Sequence, residues 1–212
     1  MKLLNAETLP LEGALAIHFG RFPDRRGYFA ESYRESDFRR ILGAAWPGRF
    51  FQANVSFSQP GTVRGYHYQS APAMGKLVRL LTGRMLDLML DIRLGSPTFG
   101  RVIVYELEAD QQSGRDAWLW LPPGLAHGTC FTEPSLLEYF CTAEYNPASE
   151  GGLSPLAEDL DWSLADPRLR DEYQAILRDR SSLLISDKDL AAPSLSDWQN
   201  SPEAAVFCWP GP

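Results

Sequence analysis

Leu86-Asp87-Leu88-Met89-Leu90-Asp91-Ile92-Arg93 alternates with a period of two: Leu86, Leu88, Leu90 and Ile92 fall on one side, Asp87, Met89, Asp91 and Arg93 on the other. That spacing suits a β-strand and not a helix. The same period runs from Phe50 to Tyr145, cut at Thr82-Gly83, Gly95-Ser96-Pro97 and Pro122-Pro123-Gly124. Frequent short strands between Gly and Pro turns predict an all-β barrel or sandwich. The strand–helix alternation and GxGxxG turn of a dinucleotide-binding fold are missing. A double-sheet jelly-roll β-barrel fits best, with its core at about residues 50–146.

Outside that core the pattern changes. The apolar run Leu15–Phe19 reads as an edge strand, with His18 as a surface or strand-end residue because no other polar group clusters with it. Glu35–Leu42 is helical, with Gly43 as its stop. Asp166–Arg180 reads as a charged amphipathic helix carrying Leu169, Tyr173, Ile176 and Leu177 on one side. It belongs to a C-terminal arm, about 147–212, packed on the barrel. No repeat or low-complexity linker divides the chain, so residues 1–212 read as one domain.

Composition narrows the function. Apolar residues make up 44% and aromatic residues 12% of 212, too rich for disorder. A formal charge of −7 disfavours broad binding to nucleic acid, yet a few converging arginines still suit a phosphate. Cys130, Cys141 and Cys208 are odd in number and widely spaced, as free thiols of a reducing cytoplasm would be. The first residues lack the apolar segment of a signal peptide, and no run approaches a membrane span.

The chemistry concentrates in Gln52–Lys76. Gln52 and Asn54 lie in one strand-like run, Arg64-Gly65-Tyr66-His67-Tyr68-Gln69 in the next, and Lys76 opens a third. His67 alternates with two tyrosines and so faces the opposite side of the sheet. A lone histidine is commonly a core residue, but Arg64 and Gln69 are odd neighbours for one, and imidazole is the natural base near pH 7. Lys76 and Arg64 have an ordinary reading as surface charge; their position at strand starts beside His67 argues for a role. Arg26 sits next to a Gly turn and an aromatic, and arginine with aromatic faces suits a nucleoside diphosphate. Tyr139 and Tyr145 lie on or beside a later strand as core residues or proton donors. Pro123-Gly124-Leu125-Ala126-His127 resembles the second half-motif of metal-binding cupins, but His67-Tyr68-Gln69 lacks the His-x-His half, so no metal is expected.

Taken in order, Asp24-x-Arg26-Gly27-x-Phe29-x-Glu31, Gln52-x-Asn54-x-Ser56-x-Ser58, Arg64-Gly65-x-His67-Tyr68-Gln69, Lys76-Leu77-Val78, Asp91-Ile92-Arg93-x-Gly95-Ser96-Pro97-Thr98-Phe99-Gly100, Pro122-x-Gly124-x-Ala126-His127-Gly128, Tyr139-x-Cys141-Thr142 and Ser186-x-Lys188-Asp189 resemble the dTDP-4-dehydrorhamnose 3,5-epimerase family. The resemblance spans about Phe22 to Leu195. It implies a cupin-type barrel, a nucleotide-linked 4-keto-6-deoxy sugar as substrate, a homodimer and no cofactor. By that resemblance His67 is the base, Asp189 its orienting carboxylate, Tyr139 the opposing acid, and Lys76, with His127, the stabiliser of an enolate. Gln52, Asn54 and Arg64 would contact sugar and diphosphate, Tyr145 would stack on the base, and Arg26, Phe29 and Glu31 would reach the nucleotide across a dimer interface.

The sequence departs from the family at several places. Tyr66 stands where Leu is usual, Thr129 where Phe is usual, and Ser154-Pro155-Leu156-Ala157-Glu158 replaces a Trp-Asn-Asp-Pro segment. These changes leave the acid–base residues in place and bear on substrate range, so inversion at C3 or C5 alone is the alternative. A ketoisomerase and a non-catalytic sugar-binding cupin also remain open at this stage.

Overall fold

The computed structural model describes residues 1–110 and 112–209. Thirteen strands form among them: β1 (Lys2–Thr8), β2 (Leu15–Gly20), β3 (Phe22–Asp24), β4 (Gly27–Phe29), β5 (Gln52–Ser58), β6 (Val63–Gln69), β7 (Lys76–Thr82), β8 (Arg84–Asp91), β9 (Val102–Glu108), β10 (Arg115–Leu121), β11 (Leu125–Phe131), β12 (Ser135–Cys141) and β13 (Glu150–Leu153). Four helices accompany them: α1 (Glu35–Leu42), α2 (Pro167–Arg178), α3 (Asp187–Leu190) and α4 (Leu195–Gln199). The class is all-β. Among the described residues no helix is long and apolar enough to cross a membrane.

Two antiparallel sheets face each other. One runs β1-β2-β10-β7-β12-β5, the other β13-β6-β11-β8-β9, and β3-β4 is a separate hairpin. From β5 to β13 the chain passes repeatedly from one sheet to the other, the winding of a jelly roll. The sheets do not close into a barrel. β1 and β2 belong to the six-stranded sheet, so the sandwich extends beyond residues 50–146.

Alternation in β8 separates two buried faces instead of a buried and a wet one. Leu86, Leu88 and Leu90 point outward into a cluster with Leu169, Tyr173, Leu195, Trp198 and Phe207 of the C-terminal arm. Met85 and Met89 point inward, against Val78, Leu80, Leu119 and Leu137 of the other sheet. Tyr66 and Tyr68 share the outward face, where Trp198 Nε1 donates to the Tyr68 hydroxyl at 2.8 Å. His67 is thereby turned inward. The outer face of the six-stranded sheet is covered separately, with Ile17, Phe19, Leu77, Trp118 and Trp120 packed under Phe38 and Leu42 of α1.

Both long helices form where sequence places them. α1 stops at Gly43, whose φ of +54° favours glycine. α2 starts at Pro167 behind Asp166, whose carboxylate accepts from the Arg168 and Leu169 amides. The N-terminal expectations need correction. β1 pairs along β2, so β2 is an interior strand. His18 lies mid-strand and half-buried, its Nε2 3.3 Å from the Tyr105 hydroxyl and 3.9 Å from Glu7, and burial lowers its pKa. Its neighbours come from other strands, which proximity in sequence does not reveal.

Candidate active site

Between the sheets, at one end, lies a cavity of about 400 Å³ lined by Gln52, Asn54, His67, Lys76, Tyr139, Cys141, Tyr145 and Glu150, with Val55, Tyr68, Gln69 and Met74. His67 enters from β6 in one sheet, Lys76 and Tyr139 from β7 and β12 in the other. Three of the chain's motifs thus meet from facing walls.

His67 Nε2 is 2.6 Å from Asp189 Oδ1. With the carboxylate accepting, Nε2 carries the proton and Nδ1 presents the lone pair. Asp189 is itself held. Ser186 Oγ donates to its Oδ2 at 2.9 Å, and the Asp189 amide donates back to Ser186 Oγ at 3.1 Å, capping α3. Burial pushes the Asp189 pKa up, but the His67 contact, Ser186 and the Gly65 amide outweigh it and hold the carboxyl below its usual range. A Cβ on Gly65 would come within 2.8 Å of Asp189 Oδ1, and one on Gly152 within 2.9 Å of His67 Cδ2. Close approach to the dyad explains both glycines.

Lys76 Nζ donates to the His67 carbonyl at 3.3 Å. Burial lowers its pKa, opposed by Cys141, Asp87 and Glu150. The Tyr139 hydroxyl has its pKa raised, chiefly by burial, so it is a protonated donor at neutral pH. Gln52 Nε2 donates to Asn54 Oδ1 at 2.9 Å, and Gln52 Oε1 accepts from the Tyr145 amide at 2.7 Å. Tyr145 also donates through its hydroxyl to Glu150 at 2.9 Å.

Other expected residues lie apart from this cavity. Arg64, exposed, donates to Ser58 Oγ at 3.1 Å and lines a second depression, about 420 Å³, on the far side of His67 and Asp189. His127 faces His67 across the β6–β11 pair, but it is buried and gives Nε2 to Asp87 Oδ2 at 2.7 Å; it does not line the cavity. Arg26 and Phe29 project on the exposed β3–β4 hairpin, Arg26 paired with Asp24 at 2.7 Å. Glu31 pairs with Arg34 and, at 2.9 Å, with the Met1 ammonium. Within one chain, none of these three reaches the cavity. The motif Asp91–Gly100 is structural, since buried Asp91 accepts from Arg93, Ser96 and Thr98. Among the described residues no three His, Cys, Asp or Glu side chains are grouped to hold a metal ion.

Sequence reasoning offered no sign of Glu150, and it marked Gly65, Cys141 and Ser186 only as members of motifs, with no role assigned. Only Ser186 had a local signal, the Ser-x-x-Asp pattern of a helix cap.

Residues 8–197 match the family described as dTDP-4-dehydrorhamnose 3,5-epimerase. The chain belongs to this family. The epimerase is 37% identical over 194 residues to the dTDP-4-dehydrorhamnose 3,5-epimerase of Sinorhizobium fredii, covering 90% of this chain and 89% of that one. It is 32% identical over 202 residues to a dTDP-4-dehydro-6-deoxyglucose 3-epimerase of Streptomyces bikiniensis, covering 92% and 97%. Among solved structures it resembles a Legionella pneumophila 3,5-epimerase in complex with dTDP-4-keto-L-rhamnose, with TM-score 0.75, 32% identity and 96% and 97% coverage. As a member of this family, the epimerase is an isomerase by class.

Proposed function

We propose that this enzyme inverts C3, C5 or both of a dTDP-linked 4-keto-6-deoxyhexose. The observation that carries the reading is His67, backed by Asp189, and Tyr139 entering one cavity from opposite sheets, with Lys76 beside Tyr139 on the same wall.

His67 Nδ1 takes the proton from a carbon next to the ketone. The C–H pair becomes the C=C bond, and the carbonyl pair moves onto O4 as an enolate. Asp189 stabilises the imidazolium that forms, and the Lys76 ammonium stabilises the oxyanion, with His127 behind. Tyr139 then delivers its proton to the opposite face, and solvent restores the proton balance of Tyr139 and His67. The carbonyl holds the charge, so no electron leaves the substrate and no redox cofactor is needed. Base and acid each contribute roughly 10²–10⁴-fold.

A cavity of about 400 Å³ suits the sugar. Gln52 and Asn54, which line the cavity, then face the sugar, Arg64 contacts the diphosphate from the adjoining depression, and exposed Tyr145 offers its ring to the base. Arg26, Phe29 and Glu31 serve a partner subunit's nucleotide in a homodimer. Three free cysteines suit a reducing cytoplasm. Inversion of a single centre is the second reading, favoured by the likeness to a 3-epimerase and by the altered segment Ser154–Glu158.

Proton NMR of dTDP-4-keto-6-deoxyglucose in D₂O with the protein alone tests this. Deuterium at C3 and C5 supports double inversion, and deuterium at one carbon supports the single-centre reading. No exchange at either carbon rejects both.

A further inference from the structure

Behind the cavity the sandwich buries a carboxylate to which the mechanism above gives no task. Asp87 lies on the inward face of β8 with no exposed surface. Its Oδ2 accepts from His127 Nε2 at 2.7 Å, while Oδ1 has no hydrogen-bond partner among the described residues. The buried hydroxyl of Thr129, paired directly opposite on β11, has none among them either. Asp91, four residues on, shows what a structural carboxylate looks like in the same strand, with Arg93, Ser96 and Thr98 all donating to it. A buried carboxylate left half-satisfied is costly, and such groups persist where a cation or a function answers them.

The nearby cation is Lys76, which is not in ion-pair contact with Asp87 but is tied to it through two histidines: Lys76 Nζ donates to the His67 carbonyl at 3.3 Å, His67 pairs with His127 across β6 and β11, and His127 holds Asp87. Cys141, Asp87 and Glu150 are the groups whose charge bears on it. The Cys141 thiol is kept protonated by its own burial and brings no charge at neutral pH. Glu150 is already answered by the Lys188 ammonium at 2.7 Å. Asp87 is left as the buried anion whose field Lys76 feels.

We propose that Asp87 is a positioning residue for the epimerisation: its carboxylate fixes the His127 ring and supplies the negative charge against which Lys76 stays an ammonium at the sugar oxygen. This rests on the role given to Lys76 above. Burial works against the charged lysine and Asp87 works for it. Without that charge Lys76 gives up its proton at lower pH, so the alkaline limb of kcat moves down the pH scale.

The test follows kcat and KM against pH by deuterium exchange for the wild type and Asp87→Asn. The variant should lose about ten- to a hundredfold in kcat, less than the roughly 10²–10³-fold of a direct oxyanion donor. Its KM should stay near the wild-type value, and its alkaline limb should lie at lower pH. In a Lys76→Arg background, where the cation does not titrate in that range, Asp87→Asn should no longer move the limb. Should Asp87→Asn not fold, His127→Leu and His127→Gln replace it. Leucine strips the carboxylate of its donor and should shift the limb, whereas glutamine keeps an amide donor and should not. A limb that stays put in Asp87→Asn, or responds alike in the two His127 variants, overturns the inference. A wild type that exchanges no deuterium overturns the epimerase reading, and this inference with it.

Discussion

His67 acquires its chemistry from a residue 122 positions away in sequence, since Asp189 fixes which nitrogen is free. His67→Ala should therefore lose exchange at the carbon next to the ketone by roughly 10²–10⁴-fold while nucleotide still binds. Tyr139→Phe should behave differently, because the proton it controls is the returned one. Exchange should continue from the His67 side while completed inversion falls, read by following deuterium and product stereochemistry in one NMR series. Equal loss of both would remove Tyr139 from the acid role. At this scale the sequence revealed residue types better than distances. His67 was legible from its alternation with two tyrosines, but Asp189 had only the resemblance to recommend it. Glu150 had no signal, because its ion pair with Lys188 exists only once the arm folds back.

At the scale of elements, β6 and α3 must approach closely enough for the dyad to form. Gly65 is the contact point, its missing Cβ leaving room for Asp189 and for the Leu153 carbonyl, which a methyl would meet at 2.9 Å. Both are firm neighbours, so Gly65→Ala should push α3 outward and lengthen the dyad. Activity should fall by about tenfold or more, as it does when a catalytic group is misplaced by an ångström or less, and Tm should drop with it. Wild-type kcat in Gly65→Ala would show that α3 has slack. Elements were largely legible: period two located the strands, and helical character with the Gly43 stop for α1 and the amphipathic pattern for α2 fell within two residues of their bounds. What failed was pairing. Leu15–Gly20 is a strand, as its apolar run says, but edge status depends on β1, whose seven residues are exposed and carry little pattern. Local sequence reports a strand's faces and says little about what lies beside it.

For the molecule as a whole, the jelly-roll winding was readable while closure was not, because closure depends on twist and shear summed over many strands. The sheets remain open, and one consequence concerns assembly. β5 is an edge of the six-stranded sheet with Val55 58% and Phe57 56% exposed, and the β3–β4 hairpin leaves Phe29 65% exposed. An uncovered apolar edge invites pairing, and the hairpin carries Arg26 away from its own chain's cavity. A homodimer would cover the edge and bring Arg26 to a second nucleotide, so disrupting either should have linked effects. Phe57→Lys should shift the mass in light scattering from twice 23.7 kDa towards one chain and raise KM for the nucleotide sugar. Arg26→Ala should leave the mass alone yet raise KM by about tenfold or more, as loss of a charge-assisted contact to phosphate would. Mixing the two variants separates the effects, because an Arg26 side chain from one subunit should restore a site it does not belong to. A wild type that is monomeric at assay concentration with an undiminished affinity would sink the shared site and make Arg26 a surface residue.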